Sequence, residues 1–455
     1  MVHVFCMNGI NIAVDVNSGS INVLDDISYE LLRSFDEPFT YQQAEEKFKG
    51  SFDSESIREA CKDINELVEK GLLFTPEFDK ETIINRVNDY NGIKALCLHV
   101  AHDCNLMCEY CFASKGSYKV AKSLMPAEVA FKAVDFVVNN SGTRKNVEID
   151  FFGGEPLLNF DVIKQTVEYS KKVQERSGKN IYFTITTNGT LLDDEKIKYI
   201  NENMNNVVIS IDGRKEVHDA IRYDAGHKGT YDKILKNALK LVEGRKGKSY
   251  FIRGTFTSRN LDFSKDVFHL ADLGFDEISV EPVVGASEDF HIRSEHIDQI
   301  IKEYENLALL YVDRIKNGKP FRFYHFNINL YNGPCLYKRI TSCGAGTEYF
   351  AVTPEGDFYP CHQFVGGKGF KIGDLDNGFN NDALRKEFEK VNVFTKPECD
   401  KCWAKFYCSG GCPANAYYSN GDITRPEEKA CEMQRKRIEC AIMIEVVKAL
   451  EKEKN

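Results

Sequence analysis

The placement of the cysteines constrains this chain more than any other feature. Fifteen are present, and ten fall into two groups: Cys104, Cys108 and Cys111 in one short stretch, and Cys343, Cys361, Cys399, Cys402, Cys408, Cys412 and Cys431 toward the C-terminus. The opening MVHVFCMNGINIAVDV lacks the basic and apolar regions of a signal peptide, and no run approaches the roughly 20 uninterrupted apolar residues that span a bilayer. A cytoplasmic location is therefore expected, where disulfides are rare and clustered thiols read as metal ligands. With 59 basic and 69 acidic side chains the formal net charge is −10, which argues against nucleic acid or an anionic membrane as partner. At 455 residues the chain has room for two to four domains with their own cores.

Residues 1–90 carry no clustered cysteines. HVFCMNGINIAVDV and SINVL, broken by VNSGS, predict a β-hairpin. ISYELLRSF follows, and then a helix from the N-cap candidate Ser54, with Ile57, Cys61, Ile64, Leu67 and Val68 at helical spacing. Residues 91–320 change character. Six short β-branched or aromatic runs, KALCLHVA, VEIDFFG, IYFTITT, VVISID, YFIRGTFT and EISVEP, alternate with helical segments. Such repeats imply parallel strands with right-handed crossovers, and six rather than eight imply an open, partial (β/α)6 barrel. Residues 321–455 are rich in cysteine and glycine, with little regular structure expected before a final helix from PEEKAC onward. Cluster coordination would there replace part of a hydrophobic core.

The first group, C-x3-C-x2-C, follows the first barrel strand. Three thiolates bind three irons of a four-iron cube and leave the fourth iron open. Zinc held by these cysteines with His99 or His102 is the competing reading. The spacing, with the aromatic Tyr110 before the third cysteine, resembles the radical S-adenosylmethionine (radical SAM) enzymes. The resemblance extends to FFGGEP, TTNGT and SIDG after strands two to four. It implies a SAM site at Gly153, Gly154 and Glu155 of the GGEP turn, with Asn188, Ser210 and Asp212 toward the ribose or carboxylate and Arg222 as carboxylate partner. All these motifs end their strands on the face where parallel barrels build active sites.

The second group resembles the SPASM domain of peptide-modifying radical SAM enzymes. That resemblance implies two auxiliary clusters, making three [4Fe-4S] clusters in all. Cys343, Cys361 and Cys412 would serve auxiliary cluster I, with Cys335 a candidate fourth ligand. Cys399, Cys402, Cys408 and Cys431 would enclose auxiliary cluster II. Cys6, Cys61, Cys97 and Cys440 are expected to act as small apolar residues.

Residues 1–90 resemble a winged-helix peptide-recognition module, which binds a leader as an added strand. The whole chain resembles the maturases of six-cysteine (SCIFF) peptides, which form thioethers between cysteine sulfur and a carbon of another residue. This implies a Cys-rich precursor peptide with a leader as substrate, and a low-potential donor such as ferredoxin or flavodoxin. The alternative enzyme is an anaerobic sulfatase maturase, which makes formylglycine. That family has Asp after the cysteine matching Cys361, where this chain has His362, a candidate base or hydrogen-bonding neighbour of the cluster. A noncatalytic iron-sulfur redox sensor or peptide-binding regulator is the reading of another class.

Overall fold

The computed structural model describes residues 1–88, 92–284, 289–328, 330 and 336–453. The chain opens with an antiparallel meander of β1 (Val2–Met7), β2 (Ile10–Asp15) and β3 (Ile21–Leu24), in the order β1-β2-β3. The expected single hairpin is thus two. Asn8 and Gly9, at φ +54° and +70°, form a two-residue turn that pairs Met7 with Ile10. Asn-Gly suits this turn because both residues tolerate positive φ. Helices α1 (Asp26–Ser34), α2 (Tyr41–Phe48) and α3 (Ser54–Glu69) follow. The cap of α3 is Asp53, not Ser54: its carboxylate accepts from the Glu55 and Ser56 amides, a better-placed acceptor at the same boundary. Ile57, Ala60, Cys61 and Ile64 of α3 pack with Leu31 and Leu32 of α1 in a small separate core.

The six predicted strands form as β4 (Ala95–Ala101), β5 (Asn146–Gly153), β6 (Asn180–Thr187), β7 (Asn206–Ser210), β8 (Ser249–Phe256) and β9 (Glu277–Pro282), each parallel to its neighbour. Burial alternates along β5 to β8. Residues such as Ile149, Phe151, Ile185, Ile209 and Ile252 join the main core with the helices, while the alternate residues face the barrel interior. The sheet extends further than expected. β10 (Arg322–Phe323) adds in parallel to β9, and β11 (Tyr349–Val352) adds in parallel to β4. From β11 the sheet continues antiparallel through β12 (Asp357–Tyr359), β13 (Gly373–Asp374) and β14 (Gly378–Phe379). The order β10-β9-β8-β7-β6-β5-β4-β11-β12-β13-β14 does not close on itself among the described residues.

The cysteine-rich region is therefore more regular than its composition suggests. Besides β11 to β14 its described residues hold five short α-helices and a 26-residue C-terminal helix, Glu428–Glu453. Phe350 and Phe358 lie in the main core, and Phe364, Phe370 and Phe388 form another cluster, so apolar packing supplements whatever coordination adds. Cys61, Cys97 and Cys440 are buried as expected, but Cys6 is exposed on β1. Among the described residues, no helix is long and apolar enough to cross a membrane.

Candidate functional site

The loop after β4 lies over the C-terminal ends of the parallel strands. The Met107 amide donates to the Tyr223 carbonyl at 2.8 Å, and the Gly154 and Glu155 amides donate to the Ala101 and Asp103 carbonyls at 2.8 and 2.9 Å. Glycine is required where these backbones meet. A Cβ on Gly154 would lie 2.2 Å from the Asp103 carbonyl oxygen, and one on Gly153, at φ +125°, 2.2 Å from that of Ala101. Gly116, which the motif reading passed over, is the third such contact, 2.7 Å from the Cβ of Cys104.

Cys104, Cys108 and Cys111 share a cavity of about 130 Å³ with Tyr110, Gly153, Gly154, Asn188, Ser210 and Arg222. Phe112, Phe152, Thr186 and Thr187 are also among its walls. Sequence reasoning did not select these four, though each adjoins a quoted motif. The Asn188 amide donates to Asn105 Oδ1 at 2.9 Å and lies 3.8 Å from Cys104 Sγ.

Two predicted cofactor contacts are placed differently. Glu155 is fully buried and does not line this cavity. Its carboxylate accepts from the Leu157 amide, the Thr187 hydroxyl and the Asn188 amide at 3.0, 2.7 and 2.7 Å, joining the turn after β5 to the turn after β6. Asp212, also fully buried, accepts from the Tyr110 hydroxyl, Arg222 Nε at 3.0 Å and the Thr255 amide at 3.0 Å. Both carboxylates position cavity residues instead of facing the cavity. Arg222 is thereby held with its guanidinium 5.3 Å from the centre of the Tyr110 ring.

The four thiols of Cys399, Cys402, Cys408 and Cys431 line a second, small cavity. Cys343 and Cys412 are close enough to oppose the ionisation of Cys361, and Cys343 that of Cys412. Cys335 lies outside the described residues. Lys396, unremarked in the sequence, is buried beside Cys399, Cys408, Cys412 and Cys431 and donates to the Gly410 carbonyl at 2.8 Å. Its ammonium sits where it offsets thiolate charge.

Burial pushes Cys104 and Cys431 up to about 12 and Cys108 and Cys399 up to about 11, with Arg222 opposing the rise at Cys108. Such thiols ionise only when a cation repays the cost, as coordination does. The donor sets fit iron-sulfur clusters: three thiols face the first cavity and four the second, with no imidazole in either. His99 and His102 are buried and pair with each other, Nδ1 to Nε2, at 3.1 Å. Among the described residues no three His, Cys, Asp or Glu side chains are grouped to hold a single ion, so neither set has the tight convergence of a zinc site.

His362 lies between the two cysteine groups. Its ring centre is 5.0 Å from that of Phe152 and 5.7 Å from that of Phe112, and its Nδ1 is 3.3 Å from the Tyr349 hydroxyl. Burial, helped by Arg253, holds it down at about 4. The imidazole is neutral near pH 7.

Residues 98–256 match the Radical SAM superfamily, and residues 343–403 match the SPASM iron-sulfur cluster-binding domain. The chain is 27% identical to the cysteine-type anaerobic sulfatase-maturating enzyme of Clostridium novyi, over 71% of this chain and 88% of that protein. In fold it is similar to anSMEcpe solved with bound AdoMet and Cp18Cys peptide (TM-score 0.64, 23% identity, 78% of this chain and 98% of that one). It is also similar to Streptococcus suis SuiB bound to precursor peptide SuiA (TM-score 0.54, 15% identity, 93% and 97%).

Proposed function

Because the chain belongs to the radical SAM superfamily and carries a SPASM domain, we propose that it matures a ribosomally made, Cys-rich precursor peptide, as SCIFF maturases do. It would join a cysteine sulfur by a thioether to a carbon of another residue. The observation that carries this reading is the N-terminal meander. Among the described residues its edge strand β3 pairs only with β2 and leaves Val23 49% exposed, next to a separate helical core. An open strand edge beside helices suits a leader that docks as an added strand, which is the winged-helix-like role assigned to residues 1–90. The likeness to SuiB supports it: coverage of 93% leaves about 32 residues unmatched, too few to omit the N-terminal 90.

Cys104, Cys108 and Cys111 would hold the SAM-cleaving [4Fe-4S] cluster, Cys343, Cys361 and Cys412 auxiliary cluster I, and Cys399, Cys402, Cys408 and Cys431 auxiliary cluster II. Gly153, Gly154, Asn188, Ser210 and Arg222 would hold SAM. When bound, these groups supply a 5′-deoxyadenosyl radical that takes hydrogen from an unactivated carbon, and a sink for the electron released as the C–S bond closes. The protein's own part is placement. Arg222, oriented by Asp212, offers a guanidinium to the SAM carboxylate. Phe112 and Phe152 narrow the cavity against water. Neutral His362, beside both rings, would accept a hydrogen bond from the substrate thiol, whose proton is lost as the C–S bond closes.

The relation to the sulfatase maturase keeps formylglycine formation as a second reading, against which His362 stands where that family has Asp. Mass spectrometry of the precursor peptide after reaction separates the two. Thioether formation removes two hydrogens per crosslink and keeps the sulfur, whereas formylglycine formation from cysteine removes the sulfur. A peptide that loses sulfur, or reduced and reconstituted protein that releases no 5′-deoxyadenosine, refutes the proposal. An external ferredoxin or flavodoxin would supply the electron.

A further inference from the structure

The sequence reading gave no role to the interior residues of β8 and β9. Ile252 and Phe256 of β8 are buried in the core, so Arg253 projects from the opposite face, into the barrel. Its side chain is 46% accessible, and Glu281 on β9 is 35% accessible. Both are nevertheless surrounded by protein on nearly every side, so they border an internal hollow and not the outer surface.

One Arg253 Nη donates to Glu281 Oε2 at 2.9 Å, its one hydrogen bond among the described residues. Among the described residues its other N–H donors have no partner. Glu281 is held from behind: His325 Nε2 is 3.8 Å from Oε1 and 3.1 Å from the Ser279 hydroxyl, and Arg437 of the C-terminal helix also acts on it. Burial alone would raise the carboxyl, but the guanidinium groups of Arg253 and Arg437 outweigh it and hold it down at about 2, so it is ionised. Arg253 is within electrostatic reach of Tyr110 and Arg222 of the first cavity, and both Arg253 and Glu281 act on His362, next to Cys361. The pair thus lies within reach of the first cavity and of the auxiliary-cluster cysteines.

We propose that Arg253 and Glu281 seat the reacting segment of the peptide by binding one of its amide groups, Arg253 donating to the carbonyl and Glu281 accepting from the N–H. This rests on the peptide-maturase reading above. An amide satisfies both partners at once. A carboxylate would satisfy Arg253 but bring its charge against Glu281, and an ammonium would do the reverse. A surplus ion pair without a ligand is a poor device for stability, because desolvation cancels most of its Coulombic gain. The amide belongs either to the peptide backbone or to an Asn or Gln side chain.

The test uses the full chain with its clusters reconstituted and the precursor peptide encoded beside its gene. Arg253→Gln and Glu281→Gln are expected to weaken peptide binding about tenfold or more, the effect of losing one charge-assisted hydrogen bond, and to lower the crosslinked product formed per 5′-deoxyadenosine released. SAM affinity, measured by equilibrium dialysis, should stay within about twofold. Arg253→Lys keeps the charge but not the fork and should not restore binding. The exchange Arg253→Glu with Glu281→Arg keeps an ion pair for folding and should still bind peptide weakly. If the amide is a side chain, replacing the core Asn or Gln by Ala weakens binding to the native chain and has no further effect in Arg253→Gln. If it is backbone, an ester at one position does the same. Unchanged peptide affinity in both single variants makes the pair structural and overturns the inference, as does a parallel loss of SAM affinity. Native protein that binds the peptide but forms no thioether refutes the maturase reading instead, and leaves the binding measurement standing.

Discussion

Replacing Gly154 by Ala tests whether close backbone approach is what the GGEP turn provides. Gly154 has no left-handed φ, so alanine is conformationally allowed and the cost is steric alone. Its Cβ would lie 2.2 Å from the Asp103 carbonyl oxygen, 2.6 Å from the Asp103 carbonyl carbon and 2.8 Å from the Gly116 Cα. All three atoms are backbone, so no side chain can swing away. Restoring ordinary contact at about 3.2 Å or more moves the Asp103–Cys104 segment or the turn after β5 by about 1 Å, at a cost of roughly 1–3 kcal/mol. The same shift strains the bonds from the Gly154 and Glu155 amides to Ala101 and Asp103 and displaces Cys104. A misplacement of about 1 Å costs on the order of 100-fold in rate. Release of 5′-deoxyadenosine by the reduced protein should therefore fall by about that factor, and thermal unfolding by several degrees. Gly226→Ala is the control, since its Cβ meets only the Asp224 carboxylate at 3.2 Å. Gly154→Ala with native cleavage rate and iron content would refute the reasoning.

Changing Cys104, Cys108 and Cys111 together to Ala should remove about four irons per chain and abolish SAM cleavage while the remaining iron stays; loss of all iron on analysis contradicts the separate sites. Val23→Asp, at an exposed position of β3, should leave stability within about 0.5 kcal/mol yet weaken leader binding, which fluorescence anisotropy of a labelled leader would measure. Acid should destabilise the chain through His218 and His325, held down at about 4 and about 3 chiefly by burial. Folded pKa values below the unfolded 6.5 mean that stability is fully present above about pH 6.5 and is lost as pH falls toward 4. Each histidine forfeits about 2 kcal/mol between pH 7 and 5, and denaturant unfolding that is flat over that range contradicts the assignment.

The parallel strands were legible because each is a long run buried on at least one face. β10 and β11 were not. Each is too short to show a period, and the pairing of Tyr349–Val352 with Ala95–Leu98 spans some 250 residues, so nothing local announces it. The Asn8-Gly9 turn was missed, because the apolar runs on both sides of it read as one strand. Motif spacing brings one set of residues to one cavity: all three cysteines, both glycines, Asn188, Ser210 and Arg222 line it. Glu155 and Asp212 do not line it, because spacing fixes where a residue stands and not which way its carboxylate turns. In both cases backbone amides left unpaired at strand ends compete for the oxygens and win. Lys396 left no signal, since its role depends on a fold that brings Cys408, Cys412 and Cys431 to the ammonium besides the nearby Cys399.

The division at residues 90 and 320 describes the sequence better than it describes the forces. His3 of β1 stacks on Trp403, with ring centres 3.8 Å apart and planes 4° from parallel, and its Nε2 lies 3.0 Å from Glu439 of the C-terminal helix. Lys80 pairs with Asp400 at 2.7 Å, and Val16 and Ile83 share a core with Ile340, Val393, Cys399 and Phe406. Trp403 and Asp400 adjoin Cys402 and Cys399, and the helix of Glu439 also carries Cys431. The N-terminal module therefore packs against the segments that present the ligands proposed for auxiliary cluster II. Cutting it away would expose that shared apolar core, unpair Asp400 and leave Glu439 with Lys436 but without His3, at a cost comparable to several buried side chains. Loss of turnover in such a truncation would report on cluster retention as much as on peptide recognition. A single change on the far edge of the sheet, at Val23, separates the two, because β3 is the strand remote from β1 and its exposed side chain takes no part in the shared core.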